Sequence, residues 1–133
     1  MAIKVTRMFH AAVNVEGARE ESHEFYTDFL GLPEVPVALP GIDTSAKDLP
    51  FFWIEKAGVQ LHVISLPRQE TAIDPAQNHV SWYVEDISAA VEAIEARGLE
   101  MVSIGEGSKR IVWVSDPAGN TMEFQQDPDC PVA

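Results

Sequence analysis

The chain has 133 residues, 46% of them hydrophobic and 23% charged, which is the composition of one ordinary globular domain. Nine Lys and Arg stand against 21 Asp and Glu, a formal net charge of −12 that repels phosphate backbones and anionic lipid, so neither nucleic-acid nor membrane binding is expected. No apolar run approaches the ~20 residues of a bilayer span, the first residues lack the pattern of a secretory leader, and the single cysteine, Cys130, excludes an internal disulfide or a thiolate-cluster metal site; the expectation is a soluble, cytoplasmic single domain.

Ile3 to Val15 is rich in β-branched and apolar residues and predicts a strand. Gly17 to Leu30 turns helical, with Ala18, Ser22, Phe25, Tyr26 and Phe29 on one stripe, Gly31 past its end and Pro33 blocking a restart. Glu34 to Leu39 reads as a short edge strand, because Pro36 lacks a ladder donor. Pro40 to Pro50 is a loop. Leu49 to Lys56 and Gly58 to Ser65 form two strands around a tight turn at Ala57-Gly58, and Leu66 to Ala76 is a polar connector.

The pattern then restarts. Gln77 to Val84 predicts a strand, Asp86 caps a helix that runs through Arg97, and Ile87, Ala90, Val91 and Ile94 form its apolar stripe before Gly98. Glu100 to Ile104 and Lys109 to Ser115 are strands around the turn Gly105 to Ser108. Asp116 to Asn120 is a tight turn, Thr121 to Gln126 the last strand, and Asp127 to Ala133 a frayed tail. Strand–helix–strand–strand–strand therefore occurs twice, with module 1 at about 3–66, module 2 at about 77–127 and a tail at 128–133. Residues repeat with the elements. His10-Ala-Ala-Val-Asn-Val15-Glu16 aligns without gaps on His79-Val-Ser-Trp-Tyr-Val84-Glu85, Gly31-Leu32 matches Gly98-Leu99, and Gly58 and Gly119 each lie four residues before His62 and Glu123.

In this repeat His10 corresponds to His79, and His62 to Glu123. Alternation puts Gln60, His62 and Ile64 on one strand face, and Thr121, Glu123 and Gln125 on another. If the first and last strands of each module lie side by side, each module offers two ligands on one concave face. Imidazoles and a carboxylate suit Zn, Ni, Mn or Fe(II). Against this, a single strand histidine is commonly a hydrogen-bonded structural residue. Three of the four histidines nevertheless fall on repeat-related sites, and Glu123, between Met122 and Phe124, needs a metal or a hydrogen-bonded partner. His23, beside Glu20 and Glu24, reads as a surface residue. Trp53, Trp82, Trp113, Phe51 and Phe52 are core residues or walls for a planar ligand, and Lys109-Arg110 a solvated hairpin edge or a basic flap over a substrate.

These residues resemble the glyoxalase / bleomycin-resistance / extradiol-dioxygenase superfamily, the vicinal oxygen chelate proteins. The matching stretches are His10, Phe25 to Leu32, Gly58 to Val63, Asn78 to Val84 and Asp116 to Glu123. The resemblance implies an α+β fold of two tandem βαβββ modules forming a cupped mixed sheet around a divalent metal, with ligands at His10, His79 and Glu123 and a fourth ligand slot at His62. It implies a small-molecule substrate and a homodimer. Glyoxalase I-type lyases and isomerases chelate vicinal oxygens, stabilise an enediolate and carry a carboxylate in the fourth slot, where this chain has His62. Glu123 or His62 would then leave the metal and move a proton. An extradiol Fe(II) dioxygenase would use His10, His79 and Glu123 with His62 as a base. A fosfomycin-type transferase would need a cationic pocket, and a drug-binding protein of the bleomycin-resistance type would need no ligand set.

Overall fold

The computed structural model describes residues 2–45, 48–67 and 73–130. Within them lie eight strands: β1 (Val5–Asn14), β2 (Glu34–Val35), β3 (Phe51–Lys56), β4 (Val59–Ile64), β5 (His79–Val84), β6 (Val102–Ile104), β7 (Ile111–Ser115) and β8 (Thr121–Gln126). The helical segments are α1 (Arg19–His23), a π-helix (Glu24–Phe29), α2 (Ile87–Ala96) and a 3₁₀ turn (Gly107–Lys109). All eight strands join one mixed sheet in the order β2-β3-β4-β1-β5-β8-β7-β6. The halves repeat: β1 pairs parallel with β4, β5 pairs parallel with β8, and β1 and β5 join the modules antiparallel at the centre. The fold is the α+β arrangement of duplicated βαβββ modules expected from the sequence.

Alternation along each strand separates two faces. On one face, Val84, Val112 and Val114 pack against Ile87, Ala90, Val91 and Ile94 of α2, with Met122 and Phe124 at the margin. Phe52, Ile54 and Val63 form the matching core of module 1, beneath Tyr26 and Leu32. The other face carries the histidines. The α2 helix starts as predicted: the Asp86 carboxylate accepts from the N–H groups of Ser88 and Ala89, a cap worth about 1 kcal/mol. At the β3–β4 turn both Ala57 (φ 55°) and Gly58 (φ 81°) are left-handed, the backbone that a two-residue hairpin requires.

The first helix departs from the expectation. Gly17 to Leu30 does not form one α-helix with a buried stripe. It holds one short α-helical segment and then widens into a π-helix, where the Leu30 N–H bonds the Phe25 carbonyl. The extra residue per turn rotates the side chains off a 3.6-residue stripe, so Phe25 and Phe29 stay exposed while Tyr26 reaches the core. His23 is half-buried rather than a free surface residue. Its Nε2 lies 2.8 Å from Glu34 Oε1, and its ring meets Phe52 edge-on. Strand β2 stops at Val35, before Pro36. The 66–76 connector is not a solvated linker, because Asp74 is buried and Leu66, Pro75 and Ala76 line a cavity; its residues 68–72 lie outside the described residues.

The tail is also anchored rather than frayed, as far as it is described; residues 131–133 lie outside that range. Asp127 is buried, its N–H bonds the Val84 carbonyl, and its carboxylate accepts from Thr6 Oγ1 at 2.6 Å and from Arg7 at 3.1 and 3.3 Å. Hydrogen bonding from Arg7 is the main cause that holds the Asp127 carboxyl down at about 2. A carboxyl with a lowered folded value stabilises the fold above its ordinary value near 4 and loses that contribution as pH falls towards 2. We expect Asp127→Asn to cost about 1 kcal/mol at neutral pH, since Arg7 is itself half-exposed. Urea unfolding at pH 7, 4 and 2 should show the gap between variant and wild type closing at the acid end.

Candidate metal centre

The face without helices gathers the ligand-type residues on the four central strands. His10 pairs in register with Ser81, Ser81 with Glu123, and Ala12 with His79. Flanking them, Trp53 stands opposite His62 and Trp113 opposite Glu123. The duplication noted in the sequence is thus a duplication in space: His10 and His79, His62 and Glu123, Trp53 and Trp113 occupy equivalent positions. A β-bulge refines the aim of His10. Between Met8 and His10 the register slips by one residue, leaving Phe9 as the extra one, and from His10 onward alternate residues turn towards the cavity face.

His10, His79 and Glu123 are all buried, and one ligand atom from each lies within 4.8 Å of the others. His10 Nε2 is 3.4 Å from Glu123 Oε2, and His79 Nε2 is 3.3 Å from Glu123 Oε1. The Gln77 carbonyl, 2.7 Å from His79 Nδ1, can only accept, so the ring hydrogen sits on Nδ1. That leaves the lone pair of Nε2 facing a carboxylate oxygen, with no hydrogen-bond partner of its own. Two acceptors so placed need a cation between them. A proton on Nε2 meets this need loosely, since charge-assisted pairs close to roughly 2.7–2.9 Å. A divalent ion meets it well: donors about 2.1 Å from a common ion stand about 3.0–3.4 Å apart. The donor set fits such an ion, and Gln125 Nε2, 2.9 Å from Glu123 Oε2, steadies the carboxylate.

Protonation states agree. Burial pushes His10 down to about 4, against the opposing pull of Glu123, so its imidazole is neutral at pH 7. Burial alone would raise the Glu123 carboxyl, but the neighbouring His79 and His10 outweigh it and hold it at about 2. A neutral imidazole and an ionised carboxylate are the forms that bind metal.

His62 stands beside this trio rather than within it. Its ring is sandwiched between Trp53, at 3.7 Å and 2° from parallel, and His10, at 3.6 Å. Its Nε2 lies 2.7 Å from Gln60 Oε1, while the Gln60 amide nitrogen donates to Glu55 at 3.3 Å. That orientation makes Gln60 an acceptor, so His62 carries its hydrogen on Nε2 and its lone pair on Nδ1. Burial, then the crowding of the neighbouring imidazoles of His10 and His79, either of which would repel a second positive charge, keep it far below the ordinary histidine range and therefore neutral.

The centre opens into a cavity of about 310 Å³, walled by residues of both modules, including Leu39, Ile42, Phe51, Trp53, Ile104 and Trp113. Trp82 is not among its lining residues, and Phe52 belongs to the core. Lys109 and Arg110 do not line it either: Lys109 is exposed, and Arg110 bonds Ser103 Oγ at the hairpin edge. The sequence placed Gln60 and Gln125 on the faces of His62 and Glu123 but did not read their hydrogen bonds to those residues, nor the contact of the Gln77 carbonyl with His79. The signal was period two, for Gln60, Gln77 and Gln125 each lie two residues from His62, His79 and Glu123.

Comparison with known proteins agrees with this fold. A family model described as a glyoxalase-like domain matches residues 10–124. A relative from Arabidopsis thaliana, Glyoxylase I 4, is 25% identical over 98% of this chain and 76% of its own. Among solved structures, homoprotocatechuate 2,3-dioxygenase from Arthrobacter globiformis superposes with a TM-score of 0.66 at 19% identity, over 95% of this chain and 37% of that one. Methylmalonyl-CoA epimerase from Mycobacterium tuberculosis does so with a TM-score of 0.60 at 17% identity, over 97% and 94%. With the family model spanning both modules, from His10 to beyond Glu123, the chain belongs to the glyoxalase-like domain family of the vicinal oxygen chelate superfamily.

Proposed function

We propose that the protein is a divalent-metal-dependent enzyme of the glyoxalase I-like type, a lyase or isomerase acting on a small molecule with two adjacent oxygens. The observation that carries this is the convergence of His10, His79 and Glu123 at the floor of the cavity, with an unshared lone pair on His79 facing a carboxylate. These three residues would hold the ion. When bound, the ion supplies Lewis acidity to the paired oxygens of the substrate. His62 is the proton-moving group. Its lone pair on Nδ1 accepts a proton from substrate carbon, and the Glu55–Gln60 pair keeps the hydrogen on the opposite nitrogen. In the four-ligand variant of this reading His62 would help to hold the ion, and either Glu123 or His62 would be the residue that carries the proton. Trp53 and His10 hold the His62 ring in place by stacking.

A second reading, an extradiol Fe(II) dioxygenase, is favoured by the same two-histidine, one-carboxylate set with His62 standing beside it. A homodimer is the proposed assembly: the sheet ends in β2 and β6, and Phe25, Phe29 and Leu30 are exposed. Cytoplasmic placement is proposed with it; among the described residues no helix is long and apolar enough to cross a membrane.

Elemental mass spectrometry of protein purified without a histidine tag, followed by turnover assays, tests these readings. The lyase reading expects about one Zn, Ni or Mn per chain and turnover of 2-oxoaldehyde adducts. One Fe per chain and ring cleavage of a catechol would replace it with the dioxygenase. A protein that stays metal-free after reconstitution would make it a small-ligand-binding module.

A further inference from the structure

The cavity walls bear on which small molecules fit above the metal centre. Among the described residues lining it there is no Lys or Arg, whereas Asp74 and Glu123 both supply carboxylates. The remaining wall is largely aliphatic and aromatic: Leu39, Ile42 and Phe51 from module 1, Ile104 and Trp113 from module 2. In the metal-free protein an anionic group taken into such a space loses its hydration and finds no cation among the described lining residues to replace it. One polar group on the wall is unused. Trp113 is 5% exposed, and its indole Nε1–H is buried with no hydrogen-bond acceptor among the described residues. Buried indole N–H groups ordinarily find a partner. Here the neighbouring residue in register is Glu123, so the missing acceptor belongs beside the metal centre.

We propose that the cavity takes a planar, apolar ligand that is uncharged over its buried part, and that the Trp113 Nε1–H donates a hydrogen bond to an oxygen of that ligand. This inference names the substrate class of the site described above. It rests on that reading only for the identity of the cavity as the substrate site. Trp113 is then a specificity-determining residue. It favours ligands with a carbonyl or ether oxygen over hydrocarbons of the same shape, and a wall without Lys or Arg among its described residues disfavours carboxylates in the metal-free protein.

Binding to chelator-treated protein tests this without any activity. The probes are three naphthalenes of nearly equal size: 2-acetylnaphthalene with a neutral acceptor, 2-ethylnaphthalene with none, and 2-naphthoate with a charge. Calorimetric titration is expected to rank the ketone first, about fivefold or more tighter than the hydrocarbon and about tenfold or more tighter than the carboxylate. Trp113→Phe keeps an aromatic ring and removes the donor. It should abolish the preference of ketone over hydrocarbon, leave hydrocarbon affinity unchanged, and be matched by Trp82→Phe behaving as wild type. In ¹⁵N-labelled wild-type protein, the Trp113 indole proton should move downfield with the ketone and not with the hydrocarbon, a reading independent of how the variants fold. Equal binding of ketone and hydrocarbon, an unmoved Trp113 resonance, tightest binding of naphthoate, or no binding of any probe at millimolar concentration overturns the proposal. A metal-free protein that still ranks the probes as expected upholds it even where the enzyme reading fails. A metal-loaded, active enzyme whose chelator-treated form prefers the carboxylate overturns it alone.

Discussion

Adding the divalent ion should raise the midpoint of thermal unfolding by about 10 °C at a hundredfold excess over its dissociation constant, and His79→Ala should abolish the rise. The size follows from linkage. A ligand at a hundred times its Kd stabilises the folded state by about 2.7 kcal/mol. A domain of this length gains about 4 °C per kcal/mol. The cause lies in the site: the His79 lone pair and the Glu123 carboxylate already face each other across 3.3 Å, so little rearrangement is needed to receive the ion. Removing His79 leaves two donors, His10 and Glu123, and should weaken binding by about a hundredfold or more, since even an outer-shell change costs about 10–100-fold. The rise is a difference between loaded and metal-free samples of one protein, so any loss of packing in the variant cancels. His23→Ala serves as the control, because His23 pairs with Glu34 outside the centre. An equal rise in His79→Ala, or none in wild type, would remove the metal centre from the account.

The duplicated architecture was legible because it is written twice. His10 and His79 open stretches of matching sequence pattern, and the glycines before His62 and Glu123 fix the approach to the last strand of each pair. Period-two alternation placed Glu123 and His62 on the same face as the other histidines, and the strand registers agree. What was not legible depends on backbone detail or on contacts distant in sequence. The π-helix at Glu24–Phe29 is invisible to a 3.6-residue template, which therefore put Phe25 and Phe29 on one stripe with Tyr26, whereas they are exposed and Tyr26 reaches the core. The bulge at Phe9 leaves no mark in composition. Asp127 reads as a polar tail residue until Arg7 and Thr6, some 120 positions earlier, come beside it. Composition likewise marked residues 66–76 as polar linker. Yet Leu66, Pro75 and Ala76 reach the cavity, because strand β5 follows directly and its first residue is His79.

His62 provides the second large effect. His62→Phe is expected to retain the metal at about one ion per chain while lowering turnover about 100-fold or more, the range for removal of a general acid or base. Phenylalanine can keep the stacked place between Trp53 and His10, so the variant separates proton transfer from packing. Geometry is the reason for expecting this split. Nε2 of His62 is occupied by Gln60, and the ring lies flat against His10 instead of pointing an atom at the carboxylate. Gln60→Ala should give a smaller loss, about tenfold, because it frees the tautomer without removing the base. Rescue by Gln60→Asn is not expected, since the shorter side chain cannot span from His62 to Glu55. The contrary result is equally informative. If His62→Phe loses the ion as His79→Ala does, His62 is the fourth ligand, its stacked pose belongs to the metal-free protein alone, and the proton must be moved by Glu123.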